Sequence, residues 1–236
     1  MKLSVLMPVY NEAETLNYAV KRVLDVAYPC EMELVLVDDG STDGSGELIE
    51  RLEDARITKG FHPVNRGKGA ALRTAAALAT GDYVIICDAD LEYTPGDIPD
   101  LLVPVIAGDA KVVFGTRTFG SHTAYSFWYV VGNKAVTMAA NVLYNAWLSD
   151  LETCFKLMPL SLYRSLDLRQ EGFGVEAEIA AKLLRAGVRP YEVPINYKAR
   201  GREEGKKLTW RDGVEALWIL LQLRLAKPPA LSGIST

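Results

Sequence analysis

Two aspartates separated by one alanine, Asp88-Ala89-Asp90, follow the apolar run Asp82 to Cys87. Carboxylates at alternate positions present hard oxygen donors, which Mg2+ and Mn2+ prefer. Mg2+ is commonly held by one or two carboxylates and completes its shell from phosphates and water. The pair therefore suits a metal–diphosphate complex better than a bare ion, and Glu92 could add another oxygen. The plainer alternative is that it caps a turn or the next helix. A second acidic pair, Asp38-Asp39, closes the run Leu34 to Val37. Carboxylates there can accept hydrogen bonds from a base or a ribose. The Asp39-to-Asp43 turn accounts for part of this composition, and Ser41 to Asp43 alone can cap the following helix, so both roles can hold. Asn65-Arg66-Gly67-Lys68-Gly69 opens a helix and could receive an anion, or could be a solvated tight turn. It lacks the spacing of a Walker A loop. Arg117 follows another strand, and Arg200, Arg202, Lys206 and Lys207 cluster late in the chain beside Glu203 and Glu204. Such cations could neutralise a leaving diphosphate or bind a phosphorylated acceptor; a basic loop is also an ordinary solvated face.

Other chemistries find no support. His62 and His122 are the only histidines, and neither has a partner at metal-ligand or triad spacing. There is no Gly-x-Ser-x-Gly elbow, and no Gly-x-Gly-x-x-Gly follows the first strand.

The acidic clusters must be positioned by the segments that precede them. Lys2 to Met7, Glu33 to Val37, Arg56 to Phe61, Asp82 to Cys87 and Lys111 to Phe114 read as strands. Glu12 to Val26, Gly44 to Leu52, Gly67 to Ala79 and a short segment after Pro95 read as helices between them. This alternation predicts a doubly wound parallel sheet, with ligands at the carboxyl ends of the strands. Tyr10-Asn11-Glu12, Asp38-Asp39 and Asp88-Ala89-Asp90 all stand at such ends. In the second half, Tyr125 to Leu148, Phe173 to Ala186 and Trp210 to Ala226 read as helices. Thr153 to Met158 and Val188 to Ile195 read as strands, the latter at an edge because of Pro190 and Pro194. Trp210, Val214, Leu217, Trp218, Leu221 and Leu225 share one helical face. That face is expected to pack on the sheet, with an interfacial, lipid-facing role as the alternative. Phe127 to Val131 is likewise either core or a lipid-facing flap.

The 236 residues fit one large α/β domain with a modest extension: a main domain over 1–208 and a C-terminal amphipathic helix and tail over 209–236. The formal net charge of -4 gives no reason to invoke nucleic acid. Three widely spaced cysteines support neither a disulfide framework nor a zinc site, and a reducing compartment is the simplest expectation. No signal peptide or membrane-spanning run is read, which predicts a cytoplasmic protein able to lie peripherally on a membrane.

The segments "SVLMPVYNE", "LVLVDDGSTDGS", "NRGKGAALRTAAALATGDYVIICDADLEY" and "VVFGTR" resemble, in order, those of family 2 inverting glycosyltransferases with the GT-A fold. "DLETCFKLMP", "EAEIAAKLLRAG", "VPINYKARGREEGKK" and "WRDGVEAL" are similar to the dolichyl-phosphate mannose synthase branch and its bacterial polyprenyl-phosphate relatives. The resemblance spans about Leu3 to Leu217 and implies a mixed, mostly parallel, Rossmann-like sheet flanked by helices, with a C-terminal helical extension. It implies a nucleotide-binding turn at Pro8, Tyr10 and Glu12, and base contacts at Val37 and Asp39. Asp88, Ala89 and Asp90 would be the donor and Mg2+ or Mn2+ motif, with Asp90 the foremost ligand and Glu92 sharing the metal. Arg117, Arg200 and Lys206 match the basic positions of the synthases. The donor would be a nucleotide-diphosphate sugar, GDP-mannose ahead of UDP-glucose, and the acceptor a polyprenyl phosphate. A membrane surface or anchoring partner would be involved. The segment after "GTR", "SHTAYSFWYVVGNK", is aromatic where the synthases carry arginines. A soluble hydroxyl acceptor therefore stands as the alternative, with a non-catalytic nucleotide-sugar-binding subunit as a third. A hydroxyl acceptor would require a general base, for which Asp150 and Glu152 are the candidates.

Overall fold

The computed structural model describes residues 1–121, 127–199 and 209–227. Its strands are β1 (Lys2–Val9), β2 (Glu31–Asp38), β3 (Ile57–Phe61), β4 (Tyr83–Ile86), β5 (Val113–Thr116), β6 (Lys156–Pro159) and β7 (Tyr191–Pro194). The helices are α1 (Leu16–Leu24), α2 (Ser45–Arg51), α3 (Lys68–Leu78), α4 (Ile98–Ala107), α5 (Phe127–Tyr144), α6 (Leu160–Ser165), α7 (Val175–Arg185) and α8 (Trp210–Leu225). All the strands join one sheet in the order β3-β2-β1-β4-β6-β5-β7.

Central strands covered on both faces need continuous apolar runs. Leu34 to Val37 in β2 and Val84 to Ile86 in β4 supply them and are fully buried. Each such side chain contributes about 1.5–3 kcal/mol by leaving water. Strands β1 to β4 run parallel, so Val9, Asp38 and Ile86 end on the same edge of the sheet. The sheet is mixed and mostly parallel, as the resemblance implies: β6 pairs antiparallel with both β4 and β5, a reversal that the strand–helix alternation alone did not predict. Reversal has a consequence for the site: the loop entering β6, not the one leaving it, reaches the edge where the other strands end. Strand β7 lies at the sheet edge, as its prolines require. Helix α6 had no distinct signal; at six residues it is too short to show periodicity.

Helix α8 departs from expectation. It packs on α5 and α7 rather than on the sheet, and it buries Ala216, Ile219 and Leu220. The face carrying Trp210, Val214, Trp218 and Leu225 stays in solvent. Small and branched side chains let helices approach closely, so the bulky face is the one left outside. Phe127 and Trp128 at the start of α5 are also exposed, so they are not core.

Candidate functional site

Four strand ends and the loop entering β6 border one cavity of about 1430 Å³. Pro8, Tyr10, Glu12, Asp39, Lys68, Asp88, Ala89, Asp90, Glu92, Arg117 and Asp150 all line it. Thus most of the positions singled out from the sequence meet in one place. Val37 is an exception: its side chain is fully buried and does not line the cavity. A strand residue one step before the end points into the core, so any base contact there would be through backbone. Arg200, Lys206 and His122 lie outside the described residues.

Asp39 is already engaged. Its Oδ1 lies 2.6 Å from His62 Nδ1 and accepts the Arg66 amide at 3.0 Å, while Oδ2 accepts the Gly67 amide at 2.7 Å. The other ring nitrogen of His62 is 2.8 Å from Thr74 Oγ1. The histidine without a partner in sequence thus has two in space, one of them 23 residues away. Asp39 therefore shapes the turn that opens α3 before it can touch any ligand. The glycines of that turn are sterically required. Gly67 has φ 92°, and a Cβ on Gly69 would stand 2.1 Å from the Gln170 carbonyl oxygen. Gly69→Ala is expected to cost about 1–3 kcal/mol through overpacking. A thermal melt should register this as a midpoint drop of about 2–4 °C per kcal/mol.

From the start of α3, Lys68 reaches back to the acidic motif. Its Nζ donates to Asp88 Oδ2 at 2.7 Å and lies 3.1 Å from Glu176 Oε1. Glu176 also pairs at 2.6 Å with Lys156, a fully buried lysine of β6 that additionally donates to the Thr153 carbonyl. Burial opposes the Lys68 charge, but Asp88 and Glu176 outweigh it and hold its pKa well above the ordinary lysine range. Burial likewise opposes ionisation of Glu176, and Lys156 and Lys68 prevail, keeping its pKa low. Lys156 and Glu176 were not singled out from the sequence. The available signal was a lysine inside the apolar run Phe155-Lys156-Leu157-Met158.

The Asp90 turn is strained. Leu91 adopts φ 63°, a left-handed conformation that costs a non-glycine residue on the order of 1 kcal/mol or more, and Asp90 Oδ1 accepts the Glu92 amide at 3.0 Å. Glu92 turns to Tyr197, whose hydroxyl donates to its Oε2. Among the described residues no three acidic, histidine or cysteine side chains gather as a ready metal cluster. Glu92 lines the same cavity as Asp88 and Asp90 and is buried against Tyr197. A carboxylate pair still fits a hard cation that arrives with phosphate oxygens.

Across the cavity, Asp150 clamps Arg117. Arg117 donates from Nε at 2.6 Å, from Nη2 at 2.7 Å and from its amide at 3.1 Å; Asn133 adds a bond at 3.3 Å. Burial would raise the Asp150 pKa, but Arg117 overrides it and lowers it. Asp150, a candidate catalytic residue, is thus paired with Arg117, and a carboxylate so engaged is a poor proton acceptor. The Arg117 guanidinium also stacks over Tyr197, 5.0 Å from the ring centre. Exposed apolar side chains on α5 and α8, Trp128, Val130, Trp210, Val214 and Leu217, also line the cavity and form an apolar rim beside Lys134 and Asp212. No helix among the described residues is long and apolar enough to cross a membrane.

Residues 4–166 match the profile of Glycosyl transferase family 2. The chain is similar to "Glycosyltransferase AglJ" of Haloferax volcanii, 29% identical over 203 residues, which is 83% of this chain and 63% of that protein. It is also similar to an undecaprenyl-phosphate 4-deoxy-4-formamido-L-arabinose transferase of Proteus mirabilis, 38% identical over 121 residues, 49% of this chain and 36% of that one. The chain thus spans less than two thirds of the length of either relative. Among solved structures, glucosyl-3-phosphoglycerate synthase of Mycobacterium tuberculosis, in complex with Mn2+, UDP and phosphoglyceric acid, superposes with a TM-score of 0.70. It is 21% identical, and the match covers 100% of this chain and 81% of that one. At that identity the likeness establishes the GT-A-like fold.

Proposed function

We propose, because this chain belongs to glycosyl transferase family 2, that it moves a hexose from a nucleotide-diphosphate sugar to a polyprenyl phosphate, inverting the anomeric centre. The observation that carries this reading is a single cavity that joins acidic strand ends to an apolar rim. Strand ends of this kind suit a nucleotide, and the rim suits an isoprenoid chain. The relative named for an undecaprenyl-phosphate substrate adds support for the acceptor. GDP-mannose is the preferred donor and UDP-glucose the rival, the neighbour with bound UDP favouring the latter. The exposed aromatic rim would also rest on a lipid surface, where Trp and apolar side chains gain most from the interface.

A Mg2+ or Mn2+ ion, held by Asp90 with Asp88, would offset charge on the departing diphosphate. Lys68 would exchange its contact with Asp88 for a phosphate oxygen as the donor enters. Arg117, aimed by Asp150, would face the phosphates from the opposite wall, and Arg200 and Lys206 would add charge there. Glu12 and the Asp39-built turn would cradle the nucleoside.

A hydroxyl acceptor is the second reading, favoured by an excess of carboxylates over cations on the cavity wall among the described residues. One experiment separates the two. GDP-mannose and UDP-glucose, each with Mn2+ or Mg2+, are ranked by thermal shift, and the best donor is then offered polyprenyl phosphate in micelles or a soluble sugar. A lipid-linked product is expected; transfer to the soluble sugar alone would reverse the order of the readings.

A further inference from the structure

Asp88 and Glu176 both line the cavity and come close enough to share one ammonium. Lys68 Nζ lies 2.7 Å from Asp88 Oδ2 and 3.1 Å from Glu176 Oε1. Glu176 does not depend on it, since Lys156 already meets its other oxygen at 2.6 Å. Nor does burial explain the Asp88 contact, because the Asp88 side chain is 20% exposed. The demand for Lys68 arises instead where Asp88 and Asp90 bring two negative charges to one turn of the cavity wall. A lysine ammonium is a compact point charge with three donors, so it can stand where a small hard cation would otherwise gather. Its position is built into the fold. Gly67, with φ 92°, and Gly69, whose amide donates to the Glu171 carbonyl at 2.6 Å, fix the turn that carries it.

We propose that Lys68 is a tethered counter-ion that withholds Asp88 from a divalent cation until a nucleotide diphosphate draws the lysine away. This rests on the glycosyl-transfer reading. Without nucleotide, Lys68 offsets the charge of the Asp88 carboxylate, so a divalent cation must compete with a lysine that cannot diffuse away. A diphosphate brings anionic oxygens that accept from the same ammonium. Lys68 then passes from Asp88 to phosphate, while Glu176, anchored by Lys156, remains its other partner. Asp88 is released at the moment the diphosphate arrives. One side chain thus couples the two ligands, and the coupling is reciprocal: each tightens the other by the same factor. Such factors are typically about 5–150-fold. When the nucleotide leaves, Lys68 returns to Asp88 and loosens the hold on the cation.

The test reads Mn2+ binding, not turnover. Mn2+ is titrated alone, and with UDP or GDP, into wild type, Lys68→Met and Lys134→Gln. Met keeps an apolar stem and removes the ammonium. Lys134 also lines the cavity but donates to Thr118 and Ser149, so Lys134→Gln removes the same charge without touching Asp88. Without nucleotide, Lys68→Met is expected to bind Mn2+ about 5–150-fold more tightly than wild type, and to gain less from UDP or GDP. Lys134→Gln should bind as wild type does. Equal affinity of wild type and Lys68→Met for Mn2+ alone overturns the proposal. So does an equal gain in Lys134→Gln, which would reduce the effect to net charge. If Lys68→Met does not fold, Asp88→Asn decides. Its loss of Mn2+ affinity must be larger with UDP or GDP than without, and a loss as large without nucleotide refutes the gate. A wild type that binds no Mn2+ even with UDP or GDP sinks the metal-dependent donor reading itself, and the proposal with it.

Discussion

Asp90→Asn is expected to lower sugar transfer by at least about 10²–10³-fold while the protein melts almost where the wild type does. The substitution isolates charge. Asn keeps an oxygen where Asp90 Oδ1 accepts the Glu92 amide at 3.0 Å, so the strained turn at Leu91 retains its internal bond. Alanine would remove that bond along with the charge and confuse two effects. What Asn cannot do is act as an anionic ligand for a hard cation. Binding should therefore report the loss before activity does. Mn2+ titrated in the presence of UDP or GDP should bind far more weakly to Asp90→Asn, whereas Asp88→Asn should show a smaller deficit, because Lys68 already shares the Asp88 carboxylate. Full transfer by Asp90→Asn would remove the acidic motif from the mechanism. Near-equal metal binding by both variants would remove only the division of labour between them.

The positions of these carboxylates were readable from the sequence because each follows an apolar run, and a parallel strand delivers its end to one edge of the sheet. Asp39, Asp88 and Arg117 reach the cavity that way. The pairings among them were not readable. Lys68 meets Asp88 across 20 residues, and Arg117 meets Asp150 across 33. No local pattern encodes which of two neighbouring acids, Asp150 or Glu152, a distant arginine will engage. The resemblance implied a mixed sheet, but no residue pattern said which strand is reversed: β6 is four residues long, and a short apolar run reads the same parallel or antiparallel. That reversal brings the segment from Asp150 to Cys154 into the cavity wall. The amphipathic face of α8 failed for a different reason. Helical periodicity identifies an apolar stripe, but it says nothing of whether water, protein or lipid is to cover it. Tight helix contacts favoured Ala216 over the tryptophans.

The largest stability effect is expected from Glu176→Gln. Glu176 is 4% exposed and serves two lysines, Lys156 at 2.6 Å and Lys68 at 3.1 Å. Removing its charge leaves Lys156, which has no solvent exposure at all, without an anionic partner. Breaking one side of a buried pair typically costs about 3–5 kcal/mol, since the remaining charge keeps its desolvation penalty and loses its compensation. For a chain of this size each kcal/mol shifts the melting midpoint by roughly 2–4 °C. Lys156→Met combined with Glu176→Leu removes both charges and should recover most of the loss, because an apolar pair of similar volume needs no compensation. A double-mutant cycle read by thermal or urea unfolding measures that coupling. The acid limb gives a further check. The pKa of Glu176 is lowered in the folded state, so its contribution is present above the ordinary glutamate pKa and disappears as pH falls through the folded value. Wild type and Glu176→Gln should therefore converge in stability at low pH and diverge toward neutrality. Curves that stay parallel throughout would place the energy of this site in packing and not in charge. A double variant as unstable as the single one would mean that Glu176 is held by more than its lysines.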